Sequence, residues 1–414
     1  MSQRPKRFVG LKTKNSNNAL TSQRKKKAGM IGIPKDIIEN EELNKIIKIS
    51  LPENYNFEIH KTLWRIRIYK AKRVGLQFPE GLVRYSCVIS KILEKFGSVE
   101  TVIMADVVYG SCCIDDFTAR ALQIDFLVHY GHSCLIPIDK CFIPIFYALV
   151  DIKIDTEHFI QTIKANFNKD SKLAFLSTIQ FASSVQAAKN ILVSKDGFEN
   201  IIIPHVPPLA PSEVLGCTAP KIPDGFIPLF LADGRFHIEA VMLMNPKIEK
   251  MFQYNPYSKI LSIERFDNLS VLNSRRNAIK KAKKAKIFGI IFGTLGRQGD
   301  PFLLEKVEQI LEKNKITFST ILLTEITENI LSEFEEIECW IQIACPRLST
   351  DWGDDFTKEK PILNPYEFMI AFESKNKEEF FENDEYILDN YSLNGKEWSS
   401  FRAQDFIENT KKII

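Results

Sequence analysis

One recurrence constrains this chain more than any other feature: a strand, a turn, a helix, further strand, and then a cysteine, three times over. In the first pass, residues 73–81 read as a strand closed by Pro79-Glu80-Gly81. Residues 82–96 follow as a helix with Leu82, Tyr85, Ile89, Ile92 and Phe96 on one face at the 3.6 period, and 99–105 as a buried strand. Tyr109-Gly110-Ser111-Cys112-Cys113 lies just beyond. In the second pass, strand 172–179 leads to helix 181–192, with Phe181, Val185, Ala188 and Leu192 inward, and then to strand 200–204. A proline-rich loop ends in Leu215-Gly216-Cys217-Thr218-Ala219-Pro220. In the third, strand 286–292 and the turn Gly293-Thr294-Leu295-Gly296-Arg297 precede helix 302–314, which Asp300 caps and Pro301 starts. Strands 318–323 and 337–344 then end at Cys345-Pro346-Arg347.

This pattern predicts three related α/β units with parallel sheets, although identity between the units is weak. Cys112 and Cys217 are 105 residues apart and Cys217 and Cys345 128, each a modest domain's length. The expected division is 1–50, a basic tail and linker with a helix near 36–49; 51–150, with Cys112; 151–265, with Cys217; 266–380, with Cys345; and a 381–414 extension. Ligands of open α/β sheets gather beyond the carboxyl ends of the strands, where each of these cysteines falls. Three units around a common centre would bring three thiolates together.

The composition, 45% hydrophobic and 26% charged over 414 residues, is that of a globular protein. No apolar run approaches the roughly 20 residues that span a bilayer. The amino terminus holds cations where a secretory peptide needs an apolar stretch, so a cytoplasmic address is expected. There the eight cysteines stay reduced, and none forms a Cys-x-x-Cys pair. The net charge of +3 is uneven, because residues 1–30 carry nine Lys or Arg and no acid. Gln23-Arg24-Lys25-Lys26-Lys27 reads as a solvated tail, and no nucleic-acid function is built on it.

Soft thiolates favour zinc, copper(I) or iron-sulfur clusters. Three of them leave one corner of a four-iron cubane open to substrate, and zinc with three cysteines and a water is the rival state. Cys87, Cys134, Cys141 and Cys339 read as small buried hydrophobes. Cys113 adjoins Cys112, and only one of the two is expected to ligate. His129 and His132 read as core or loop histidines, and Asp115 and Asp116 as caps of the next helix. A zinc-stabilised RNA-binding protein and a non-catalytic scaffold for a partner subunit remain as alternatives from other classes.

Four segments resemble the diphthamide-forming 2-(3-amino-3-carboxypropyl)histidine synthases, in particular the eukaryotic subunit 1 type. They are Gly75-Leu76-Gln77-Phe78-Pro79-Glu80-Gly81, Tyr109-Gly110-Ser111-Cys112-Cys113-Ile114-Asp115-Asp116, His129-Tyr130-Gly131-His132-Ser133-Cys134, and the run from Cys345-Pro346-Arg347 through Leu348-Ser349-Thr350-Asp351-Trp352-Gly353. The shorter Leu215-Gly216-Cys217-Thr218-Ala219-Pro220 falls at the expected place, and Ser111 departs from the usual alanine. The resemblance implies three homologous α/β domains in a triangle, holding a 4Fe-4S cluster through Cys112, Cys217 and Cys345. It implies radical transfer of the 3-amino-3-carboxypropyl group of S-adenosylmethionine to imidazole C2 of a histidine in elongation factor 2. That is the first step of diphthamide biosynthesis, with methylthioadenosine released. It further implies a related subunit 2, completing a heterodimer in which this chain is the catalytic member, and a small metal-binding electron carrier. From their placement at strand ends, Gln77, Arg235 and Arg297 are candidates for contacting the cosubstrate, and Arg347 for offsetting cluster charge.

Overall fold

The computed structural model describes residues 32–104, 113–132, 136, 138–356, 360–373, 381, 385–392 and 395–399. The basic tail, Ser111, Cys112 and Cys134 lie outside the described residues. Three parallel sheets carry the chain. The first holds β1 (Arg73–Gln77), β2 (Glu100–Met104), β3 (Phe126–Tyr130) and β4 (Ile145–Ala148) in the order β2-β1-β3-β4. The second holds β5 (Leu173–Ser177), β6 (Ile201–Ile202), β7 (Ile227–Leu231) and β8 (Met251–Asn255) in the order β6-β5-β7-β8, and β9 (Ile260–Glu264) joins β8 antiparallel. The third holds β10 (Ile287–Gly293), β11 (Thr317–Leu323), β12 (Cys339–Ile343) and β13 (Ile362–Leu363) in the order β11-β10-β12-β13. Each unit therefore enters at an inner strand, steps to one edge, and returns to build outward, which is the winding of doubly wound sheets.

Strands buried on both faces read as continuous apolar runs, and β3, β5 and β12 are buried at every position. β2 is a sheet edge, and over Glu100–Met104 the expected buried strand is in fact half exposed. The expected strand 200–204 shortens to β6, because prolines follow at 204, 207 and 208 and cannot donate to a ladder.

The linker forms a turn at Lys35–Ile38 and then α1 (Glu41–Ser50), capped by Asn40, whose side chain accepts from the Leu43 N–H at 2.9 Å. The expected helix 82–96 is two pieces, a turn at Glu80–Val83 and α2 (Ser86–Gly97), which Ser98 closes at φ 54°. The helices that matter to the site are α3 (Asp116–Ala121), α4 (Ala182–Lys195), α5 (Phe236–Met244), α6 (Pro301–Lys313), α7 (Arg347–Phe356) and α8 (Pro365–Glu373). α6 starts as expected, with Asp300 accepting from the Phe302 N–H at 2.9 Å and Pro301 in its first turn.

The recurrence needs one correction at the cysteines. Cys113 and Cys217 follow the second strands of their units, whereas Cys345 follows β12, the third strand of its own. The units share a winding, but the three cysteines do not occupy equivalent loops. Packing is also unequal. The second and third units share one apolar core, running from Phe175 and Leu229 through Phe288 and Ile341 to Leu388, while the first has its own around Leu76, Ile89 and Val128.

Candidate metal centre

Cys113 and Cys217 are buried, and they share an apolar pocket with Tyr391 and Leu215. Burial pushes the Cys217 thiol up, and the nearby charges of Cys345 and Cys113 push it further. Cys345 is pushed up to about 12, again by burial first; its hydrogen bond with the Arg347 backbone opposes the shift, and Cys113 adds to it. Cys113, Cys217 and Cys345 therefore share one electrostatic environment, although they come from three units. Each ionisation penalises the others, and a soft cation relieves all of them at once. Among the described residues, no three His, Cys, Asp or Glu side chains already stand as a single-ion site. Cys87, expected among the buried cysteines, is instead exposed on α2, whereas Cys339 is buried within β12 as expected.

Gln77, at the end of β1, holds the first cysteine loop. Its Nε2 donates to the Cys113 carbonyl at 2.8 Å, and its Oε1 accepts from the Asp115 N–H at 3.2 Å and lies 2.9 Å from His129 Nδ1. Asp115 caps α3 as expected, accepting from the Thr118 N–H at 3.0 Å. Asp116 does more than cap. It is fully buried, accepts from the Phe142 N–H at 2.8 Å, and receives the Arg297 guanidinium through two bonds of 2.6 Å. Arg297 also donates to the Lys140 carbonyl at 3.1 Å and lies 4.2 Å from the centre of the Phe117 ring.

The turn before α6 is thereby locked onto the first cysteine loop. The Arg297 N–H donates to the Ile114 carbonyl at 3.0 Å, and Gly296 has φ +55°. A Cβ at Gly296 would stand 2.7 Å from that same carbonyl oxygen, so only glycine fits.

Arg347 joins the other two loops. It is fully buried, donates to Asp351 at 2.8 Å, to the Phe236 carbonyl at 2.9 Å, and to the Gly216 carbonyl and Glu239 at 3.3 Å each. Its guanidinium stacks 4.3 Å from the Phe236 ring centre. Arg235 pairs with Glu264 at 2.8 Å and keeps a side chain 54% exposed. Two partly buried histidines border this region. Burial lowers His132 to about 4 and His237 to about 3, the latter helped by His132 and Arg347.

The chain beyond 385 reaches the same place, which no motif in the extension announces. The Ala219 N–H donates to the Leu388 carbonyl at 3.0 Å, the Asn390 N–H to the Cys217 carbonyl at 3.2 Å, and the Tyr391 N–H to Thr218 Oγ1 at 3.0 Å. Sequence reasoning also missed Asp116 as an ion-pair partner, since Arg297 is remote from it along the chain.

Residues 78–382 match the family of diphthamide synthesis proteins. The chain is 52% identical to 2-(3-amino-3-carboxypropyl)histidine synthase subunit 1 of Dictyostelium discoideum, over 89% of this chain and 78% of that one. It is 46% identical to the protein of the same name from Schizosaccharomyces pombe, over 95% and 94%. Among solved structures, it resembles Dph2 from Pyrococcus horikoshii with a 4Fe-4S cluster, with a TM-score of 0.65 and 26% identity over 83% of this chain and 96% of that one.

Proposed function

The chain belongs to the diphthamide synthesis family, and on that premise we propose that it is the cluster-bearing subunit of a 2-(3-amino-3-carboxypropyl)histidine synthase. It moves the 3-amino-3-carboxypropyl group of S-adenosylmethionine to imidazole C2 of a histidine in elongation factor 2, the first step of diphthamide formation. The observation that carries this reading is the meeting of buried Cys113 and Cys217, from two units, in one apolar pocket, with the half-buried Cys345 of the third unit electrostatically coupled to both. Cys217 and Cys345 supply two ligands, and the Cys112-Cys113 pair supplies the third. The resemblance points to Cys112, which lies outside the described residues; among the described thiols, the one coupled to Cys217 and Cys345 is that of Cys113. When bound, a 4Fe-4S cluster with one iron free of protein ligands supplies the electron that cleaves a sulfonium and a corner that holds its amino-acid portion.

The surrounding residues hold the loops. Gln77 fixes the Cys113 carbonyl, Arg297 fixes the loop through Asp116, and Arg347 links the Cys345 loop to Gly216. Of the three side chains considered for the cosubstrate, Arg235 is held by Glu264, the Arg265 carbonyl and Glu239, and Gln77 and Arg297 are held by the first cysteine loop and Asp116, so all three are engaged within the protein. A related subunit 2 and a small metal-binding electron carrier complete the system, at work in the cytoplasm. Among the described residues, no helix is long and apolar enough to cross a membrane.

The test is anaerobic purification with the partner subunit, then incubation with dithionite, elongation factor 2 and S-adenosylmethionine labelled in the carboxyl carbon. Label on the factor and released methylthioadenosine are expected. Cys217→Ala and Cys345→Ala should each lose iron and transfer, while Cys87→Ala and Cys339→Ala keep both. Cys112→Ala and Cys113→Ala, made separately, identify the third ligand as the one whose loss removes iron. A colourless, zinc-bearing preparation that transfers no label would overturn the proposal in favour of a zinc-stabilised binding protein. Full activity of Cys217→Ala would leave only the scaffold role.

A further inference from the structure

Resting on the cluster reading above, we propose that the carboxyl-terminal segment, residues 385–392 and 395–399, is a strap that seals the Cys217 and Cys345 side of the centre against water and dioxygen. Cys217 stands at the tip of a tight turn, where the Leu215 N–H donates to the Thr218 carbonyl at 3.0 Å and the Thr218 N–H to the Leu215 carbonyl at 3.3 Å. The strap pairs antiparallel with that turn, Asp389 against Thr218. Three bonds hold it there: the Ala219 N–H to the Leu388 carbonyl at 3.0 Å, the Asn390 N–H to the Cys217 carbonyl at 3.2 Å, and the Tyr391 N–H to Thr218 Oγ1 at 3.0 Å. Its remaining anchors belong to the third unit. The Tyr386 hydroxyl donates to buried Glu367 at 2.9 Å and accepts from Asn364 Nδ2 at 2.7 Å, Lys306 pairs with Glu397 at 2.7 Å, and the Trp398 ring packs 4.7 Å from that of Tyr366. The segment is also folded onto itself, since the Trp398 indole N–H donates to Asp389 at 2.8 Å and the Ser399 hydroxyl to the Asn390 carbonyl at 2.8 Å.

Under the strap lies a cavity of about 20 Å³, whose walls include Cys217, Pro346, Asn364, Tyr386, Asp389 and Trp398. That is room for roughly one water molecule. Pro346 directly follows Cys345, so the cavity backs onto two of the cysteine loops. A cluster with one corner open to its cosubstrate can be closed by protein only on its other sides, and the shell around a metal centre sets what reaches it. Dioxygen that does so takes an electron, leaving as superoxide, and the oxidised cluster sheds iron. Asp389 and Trp398 together close the wall of the cavity, through the bond between them. The strap lies beyond residue 382, where the family match ends, so the matched region does not account for it.

The experiment uses anaerobically reconstituted full-length protein with its partner subunit, as wild type, Asp389→Ala, Asp389→Asn, Trp398→Phe and Lys247→Ala. Asp389→Asn keeps an acceptor oxygen for the indole, Trp398→Phe keeps a ring against Tyr366 but loses the N–H, and Lys247→Ala breaks an exposed pair with Asp224 away from the strap. Iron is counted without oxygen, S-adenosylmethionine is added to fill the open corner, and loss of visible absorbance is followed in air-saturated buffer. All five should hold the same iron before air is admitted. In air, Asp389→Ala and Trp398→Phe should bleach severalfold faster than wild type, while Asp389→Asn and Lys247→Ala match it. Wild-type bleaching in Asp389→Ala and Trp398→Phe overturns the seal, and if one of them does not fold the other decides. Iron already missing from a folded variant before air is admitted also overturns it, because the segment then holds ligands rather than excluding oxygen. A wild type that binds no iron overturns the cluster reading itself, and the anaerobic iron count alone tells that failure apart.

Discussion

A guanidinium is worth burying only where its donors all find acceptors, and Arg347 shows what that achieves. It spans from the end of β12 to two carbonyls of the second unit and two carboxylates, with its plane on Phe236. A lysine has neither the fork nor the plane, and would leave the Gly216 or the Phe236 carbonyl unpaired in a buried place. Arg347→Lys should therefore destabilise the protein by about 1–3 kcal/mol, seen as a lower urea midpoint, and lower the iron retained per chain. Unchanged values of both would mean that Arg347 does not hold the two loops together. The sequence marked Arg347, Gln77 and Arg297 as neighbours of the site because each follows a strand end or a cysteine. It was silent on their partners, because Asp116 and Gly216 are distant in the chain and come near only when separate units meet.

Among the elements, legibility followed burial. β3, β5 and β12, covered on both faces, stand out as apolar runs; the edge strand β2 and the two-residue β6 carry too few buried positions to fix their extent. The extra strand before Cys345 was visible, but which strand each cysteine follows depends on pairing order, which no local pattern encodes. Parallel packing also explains Gly289, inside β10 and opposite Trp340 of β12. A Cβ there would stand 2.3 Å from the Trp340 ring, which is fully buried and has no free space to enter. Gly289→Ala should cost about 1–3 kcal/mol through overpacking, measured by chemical denaturation. An unaltered midpoint would show that the indole finds another rotamer at no cost.

At the scale of the molecule, the second and third units share an apolar core, whereas the first meets them through the small Cys113, Cys217 and Tyr391 cluster and polar contacts such as Arg297 with Asp116 and Tyr55 with Tyr257. That seam also holds His132 of the first unit near His237 of α5 and Arg347 of α7. Both imidazoles are held neutral, with values of about 4 and about 3 against an ordinary 6.5. Below pH 6.5 the unfolded chain takes up protons that the fold refuses, so the stability these groups contribute is full above 6.5. It falls with pH until about 4 for His132 and about 3 for His237. One pH unit below 6.5, the loss approaches about 1.4 kcal/mol per histidine. Wild type should thus melt at a lower temperature at pH 5.5 than at pH 7.5, and a His132→Asn/His237→Asn double variant should show a smaller drop between the two. An equal drop in both proteins would place the acid sensitivity elsewhere, and would mean that the seam between the first unit and the other two is not where protonation opens the fold.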